Sequence, residues 1–73
     1  MPDALKAVMD VMLNGKKIET SARSLEELIN EQELAGQKIA TALNGQFVAA
    51  SARSGAWLHE GDKIEIVSPR QGG

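Results

Sequence analysis

The sequence has 73 residues, 42% of them apolar and 25% charged, with a net charge of −2 and no cysteine. A chain this short forms one domain with a thin core, and its balance of apolar and charged residues is that of a folded protein rather than a disordered one. Eight Lys and Arg scattered among ten acidic residues, with Phe47 and Trp57 as the only aromatics, exclude a nucleic-acid surface, and the lack of Cys excludes a disulfide, a thiol nucleophile and a thiolate metal ligand.

Residues 1–8, "MPDALKAV", have neither the basic start nor the long apolar run of a signal peptide and read as an N-terminal extension. No stretch approaches the roughly 18 apolar residues that cross a bilayer, so no membrane partner is expected and the expected location is the cytoplasm. The folded domain is expected over residues 9–68, followed by a flexible tail at 69–73 that ends in Gly-Gly.

Met9, Val11 and Leu13 alternate up to Asn14-Gly15, and Ile18 follows it. Asn-Gly between alternating apolar residues predicts a hairpin, because a type I′ turn needs positive φ at both central positions. The period then changes. Ser24 with Glu27 fits a capping box, and Leu25, Leu28 and Ile29 form one apolar helix face, which predicts a helix of about three turns ending at Gly36. A second Asn-Gly, at Asn44-Gly45, joins Ile39, Thr41 and Leu43 to Phe47 and Val48 in a second hairpin. The segment "SARSGAWLHEGD" has no clean period and reads as a connection with Trp57 and Leu58 as apolar plugs, before the strand "KIEIV" turns Ile64 and Ile66 to one side. Hairpin, helix, hairpin, strand makes an α+β domain with a small sheet packed on one helix.

Inside this domain no constellation carries chemistry. His59 is the single His and reads as a surface residue beside a turn, which leaves no metal site. Glu26 with Glu27, and Glu31 with Glu33, point different ways on a helix and read as a solvated face. No phosphate-binding glycine loop occurs, so the chain by itself is not expected to be an enzyme.

The end of the chain, "SPRQGG", is different. Pro69 cannot donate to a ladder and stops the strand, and the five residues Pro69 to Gly73, when extended, reach roughly 16–18 Å. Gly72 and Gly73 lack a Cβ, so this segment passes a narrow channel and lets a nucleotide approach closely. A C-terminal carboxylate is ionised at neutral pH and is a poor electrophile. Joining it to AMP supplies a good leaving group, which a sulfur nucleophile then displaces to leave a thiocarboxylate.

With "LNG" at Leu13 to Gly15, "SLEELI", "ATALNGQFV", "LHEGDKIEIVSP" and the terminal "QGG", residues 9–73 resemble the ThiS family, the small sulfur carrier proteins of thiamine biosynthesis. The resemblance implies the ubiquitin-like β-grasp fold, with the last strand central beside the first. It implies that Gly73 is adenylated and becomes a thiocarboxylate, with Gly72 and Gln71 as the tail that threads the partner. The implied partners are an E1-like adenylyltransferase that uses ATP, a sulfur donor protein, and thiazole synthase. No cofactor is bound by the carrier itself.

The sequence departs from the family's pattern at Ala49 and Ala50, where a Pro and a charged residue are common, and at Arg70, where an aliphatic residue is common. If Val11, Leu13, Ile64 and Ile66 face the helix, Met12, Val67 and Phe47 are left on the opposite sheet face. Together with Arg70 these are the candidate partner-binding residues, unless Trp57 and its connection fold over that face. Other functions open to the same chain are a carrier like the small subunit of molybdopterin synthase, a ubiquitin-like protein modifier, and an inert β-grasp binding module.

Overall fold

The structure, a computed structural model, describes residues 7–68. Five strands, β1 (Met9–Leu13), β2 (Lys16–Thr20), β3 (Ala40–Leu43), β4 (Gln46–Val48) and β5 (Lys63–Val67), form one sheet in the order β2-β1-β5-β3-β4. A helix, α1 (Leu25–Glu31), crosses one face, and a 3₁₀ helix (Ala50–Gly55) follows β4. β5 runs parallel to β1 and antiparallel to β3, so the last strand is central and joins the two hairpins. This is the ubiquitin-like β-grasp arrangement, an α+β fold.

Both hairpins form where Asn-Gly predicts them. Asn14 and Gly15 sit at φ 52° and 82°, and Asn44 and Gly45 at 51° and 85°, which is the left-handed pair a type I′ turn requires. Register then sorts the side chains. Val11 pairs with Ile18, Leu13 with Ile64, and Thr41 with Ile66, so these residues share the face under α1. From the other side the helix contributes Leu25, Leu28 and Ile29, all buried, and Leu58 and Ala22 complete the core. Burying each such aliphatic side chain contributes about 1.5–3 kcal/mol relative to leaving it in water.

The buried polar groups are paired. Thr41 Oγ1 donates to Val48 O at 2.7 Å and accepts from Arg53 Nε at 3.0 Å, while Arg53 Nη2 donates to Ile39 O at 3.0 Å, so the 3₁₀ helix is pinned to β3. Thr20 Oγ1 accepts from Ala22 N at 2.9 Å and donates to the Glu31 carboxylate, tying β2 to the end of α1.

The helix begins as expected but ends early. Ser24 Oγ accepts from Glu27 N at 3.2 Å, and the Glu27 carboxylate accepts in return from Arg23 N at 2.8 Å, one residue before the cap itself. At the other end α1 stops after seven residues, not at Gly36. Glu33 N donates to Asn30 O at 3.0 Å and Leu34 N to Ile29 O at 2.9 Å, the bond pair of a Schellman cap, with Glu33 in the left-handed region at φ 62°. Leu34 thereby folds back onto the core, and the apolar stripe has no inward residue at Gln32 to draw the helix further. Gly36, at φ 82°, belongs to the next turn.

The connection before β5 also differs from its reading. Leu58 is buried, but Trp57 is 60% exposed and is no plug. The segment is held by its backbone instead: Leu25 N donates to Ala56 O at 2.8 Å and Leu58 N to Arg23 O at 2.9 Å, around an isolated bridge between Ser24 and Trp57. Side-chain periodicity carries no trace of a segment held in this way.

Glu33 occupies a position that glycine takes without steric penalty, and its side chain is exposed. Glu33→Gly is therefore expected to raise stability by about 0.5–1 kcal/mol despite the entropy glycine loses on folding. In a domain of this size that is a rise of about 2–8 °C in melting temperature. Unchanged or lowered melting would show that the cap geometry is not strained.

Candidate functional site

β5 leads to the C-terminal tail, and its entry is fixed first. Gly61, at φ 84°, donates its N–H to Asp10 O at 2.8 Å, and Asp62 then caps the turn, its Oδ2 accepting from His59 N at 2.8 Å. Asn44 Nδ2 donates to Asp62 Oδ1 at 3.0 Å and Asn44 Oδ1 accepts from Lys63 N at 2.9 Å, so the second hairpin turn grips the first residue of β5. His59 is exposed, its Nδ1 lying 3.9 Å from Asp62 Oδ2. It is the surface histidine beside a turn that the sequence suggests. Among the described residues no group of three His, Cys, Asp or Glu is placed to hold a metal ion.

At its far end β5 delivers the chain to Ser68, beside an open groove of about 520 Å³ lined by Leu34, Gln37, Ile39, Ile66, Val67 and Ser68. The residues expected to carry the chemistry, Gly73, with Gly72 and Gln71 before it, and the expected contact Arg70, lie outside the described residues.

The sheet face away from α1 is set by register. Val67 pairs with Ala40, and Ala42 pairs with both Glu65 and Phe47. Phe47, 72% exposed, therefore stands in the row of Ala42 and Glu65 at the middle of β5, and Val67, 58% exposed, in the next row with Ala40 at its exit end, two exposed apolar side chains on one face that also carries Glu65. The two alanines were not singled out in the sequence. Their alternation with inward Thr41 and Leu43 was the available signal.

Met12 shares this face but stands apart from Val67. It pairs with Lys17 and Lys63, at the opposite end of β5, about 13 Å along the strand from Val67. Its neighbourhood is charged, with Lys17 Nζ 3.7 Å from Asp10 Oδ2. Trp57 does not fold over this surface. It lies toward α1, where its backbone bridges Ser24 and its side chain shares a shallow groove with Met9 and Leu58.

The described residues thus offer no catalytic constellation. What they offer is a central strand with partners on both sides and two exposed apolar side chains, Phe47 and Val67, on the open face of the sheet.

The family model described as "ThiS family" matches residues 10–73, nearly the whole chain and including the final Gly-Gly. Among solved structures, the chain is similar to the crystal structure of a thiamine biosynthesis protein (ThiS) from Geobacter metallireducens, at 26% identity and a TM-score of 0.74, over 89% of this chain and 100% of that one. No curated protein matches the sequence significantly. With its sheet order, its central last strand and a match that spans both hairpins, the helix and the tail, this chain belongs to the ThiS family.

Proposed function

We propose that this protein is a sulfur carrier of thiamine biosynthesis, a protein co-substrate rather than an enzyme, whose reacting group is the terminal carboxylate of Gly73. The observation that carries the reading is the family match running through residue 73, so that the match includes the Gly-Gly on which the chemistry depends. The similarity to the ThiS thiamine biosynthesis protein of Geobacter metallireducens, over that chain's whole length, supports the pathway.

The chemistry follows from the carboxylate's inertness. In an E1-like adenylyltransferase, one oxygen of the Gly73 carboxylate attacks the α-phosphorus of ATP and pyrophosphate leaves. Hydrosulfide, supplied by a sulfur donor protein, then adds to the acyl carbon, AMP departs with the bridging oxygen, and the thiocarboxylate remains with release of a proton. Thiazole synthase takes the sulfur from there. ATP belongs to the activating partner, and this chain needs no cofactor of its own. Gly72 and Gln71 thread the partner's channel, where the missing Cβ of Gly72 allows close approach to the nucleotide. The exposed Phe47 and Val67 on the open sheet face, and Arg70 just beyond Val67 in sequence, supply the docking contacts. Met12 adds a more distant one.

The direct test is mass spectrometry after incubation with an E1-like activating enzyme, ATP and hydrosulfide. The expected product has gained one oxygen-to-sulfur exchange at Gly73. A variant with one residue appended after Gly73 is expected to stay unloaded while its unfolding is unchanged. Conjugates to lysine would favour a protein modifier and an unchanged mass an inert binding module. Sulfur delivered to a molybdopterin precursor instead of a thiazole would move the carrier to another pathway.

The docking face is tested separately. Phe47→Ser and Val67→Ser remove exposed side chains, so stability is expected to stay within about 0.5 kcal/mol. Each is expected to raise the KM of the activating enzyme for the carrier by roughly tenfold, equivalent to about 1.4 kcal/mol. A marked loss of melting temperature with unchanged KM would show that these side chains serve the fold alone.

A further inference from the structure

β1 and β5 pair as a parallel ladder for only two residues, Met12 with Lys63 and Leu13 with Ile64, because the chain swings away at the Asn14-Gly15 turn. β5 continues to Val67. Its last residues therefore have a neighbour on the β3 side, where Thr41 pairs with Ile66, but have lost the backbone of β1 on the other. Ile66 is buried, and an unpaired buried backbone group is costly.

The side chain of Asn14 fills the gap. The backbone ladder steps upward from Met12 N donating to Asp62 O at 2.9 Å to Asn14 N donating to Ile64 O at 2.8 Å. The next step is made by the side-chain amide: Asn14 Oδ1 accepts from Ile66 N at 2.9 Å, and Asn14 Nδ2 donates to Ile66 O at 3.1 Å. A primary amide has the donor and acceptor of a peptide group, so Asn14 extends β1 by one pairing after its backbone has turned away. Asp would keep only the acceptor. Gly would keep the left-handed turn and neither bond.

We infer that Asn14 is a positioning residue for the tail, its amide fixing Ile66 and with it the point and direction at which the chain leaves the sheet. Val67 and Ser68 then separate this clamp from Pro69. Releasing Ile66 leaves the end of β5 held from the β3 side alone, through Ala40 and Thr41, so the direction in which the chain leaves the sheet is less closely fixed. The inference rests on the carrier reading of Gly73. Asn44 supplies an internal comparison, because it clamps the opposite end of the same strand, through Lys63 N at 2.9 Å, away from the tail.

Asn14→Gly, Asn14→Asp and Asn44→Gly are compared in two measurements on the whole chain. In hydrogen exchange on the free protein, Asn14→Gly is expected to cost the Ile66 amide at least about tenfold in protection relative to Ile64. In loading with an E1-like activating enzyme, ATP and hydrosulfide, Asn14→Gly is expected to lower kcat by about tenfold or more with KM unchanged, since misplacement of a reacting atom acts on the chemical step. Asn14→Asp is expected to fall between Asn14→Gly and wild type. Asn44→Gly is expected to lose stability to a similar degree and to load at the wild-type kcat. Wild-type kcat in Asn14→Gly, or an equal loss in Asn44→Gly, would overturn the positioning role while leaving the carrier reading in place. Failure of the wild-type protein to load would overturn the carrier reading itself, and Ile66 exchange would still decide whether Asn14 holds the end of β5.

Discussion

Everything in this fold depends on β5 finding partners on both sides. Neither hairpin can bury its apolar face alone, and an isolated two-stranded hairpin is marginal in water. β5 joins them, antiparallel to β3 and parallel to β1, and its Ile64 and Ile66 lie between the inward residues of both hairpins and the helix. The parallel pairing links Met12 to Lys63 across most of the chain, a long loop to close for two residue pairs. The asparagines of the two turns reinforce β5 at either end, Asn14 from the β1 side and Asn44 from the β3 side. Each takes the left-handed conformation its hairpin needs and spends its amide on the backbone of β5.

Under the proposed carrier function, this placement accounts for how a domain whose described residues hold no catalytic constellation would serve chemistry at its end. A tail of five residues positions its carboxyl only as well as the residue from which it departs is fixed. Here the tail follows the central strand of the sheet, whose Ile66, two residues before Ser68, is paired on both sides. On the open face, Val67 and Ala40 lie at that same end, and Phe47 and Ala42 one row back beside Glu65.

Much of this was legible in the sequence, for definite physical reasons. The Asn-Gly pairs specify turns because few residues tolerate positive φ, and the alternation of Ile64 and Ile66 specifies a face because strand side chains have a period of two. The final Gly-Gly, set among the other motifs, pointed to the family, and the family match runs through residue 73. What was hidden depends on contacts between distant residues. Glu33 accepts a left-handed conformation because Leu34 gains the core by it, which no local propensity reveals. The connection through Trp57 is held by backbone bonds to the start of the helix, so its side chains show no pattern, and an aromatic that looked like a plug stands in solvent. Met12 and Val67 were read onto one face, correctly, but strand polarity separates them by nearly the length of β5. The second role of Asn14 and Asn44 was masked by the adequacy of the first.

The central claim is that the strand bearing the tail is the most firmly held element of the domain. Native-state hydrogen exchange of the whole chain, followed residue by residue, tests it most directly. The account predicts that the amides of β5, Ile66 among them, exchange only through global unfolding, while edge strands β2 and β4 open more readily. Exchange of β5 through local opening, ahead of the β1–β2 hairpin, would contradict it.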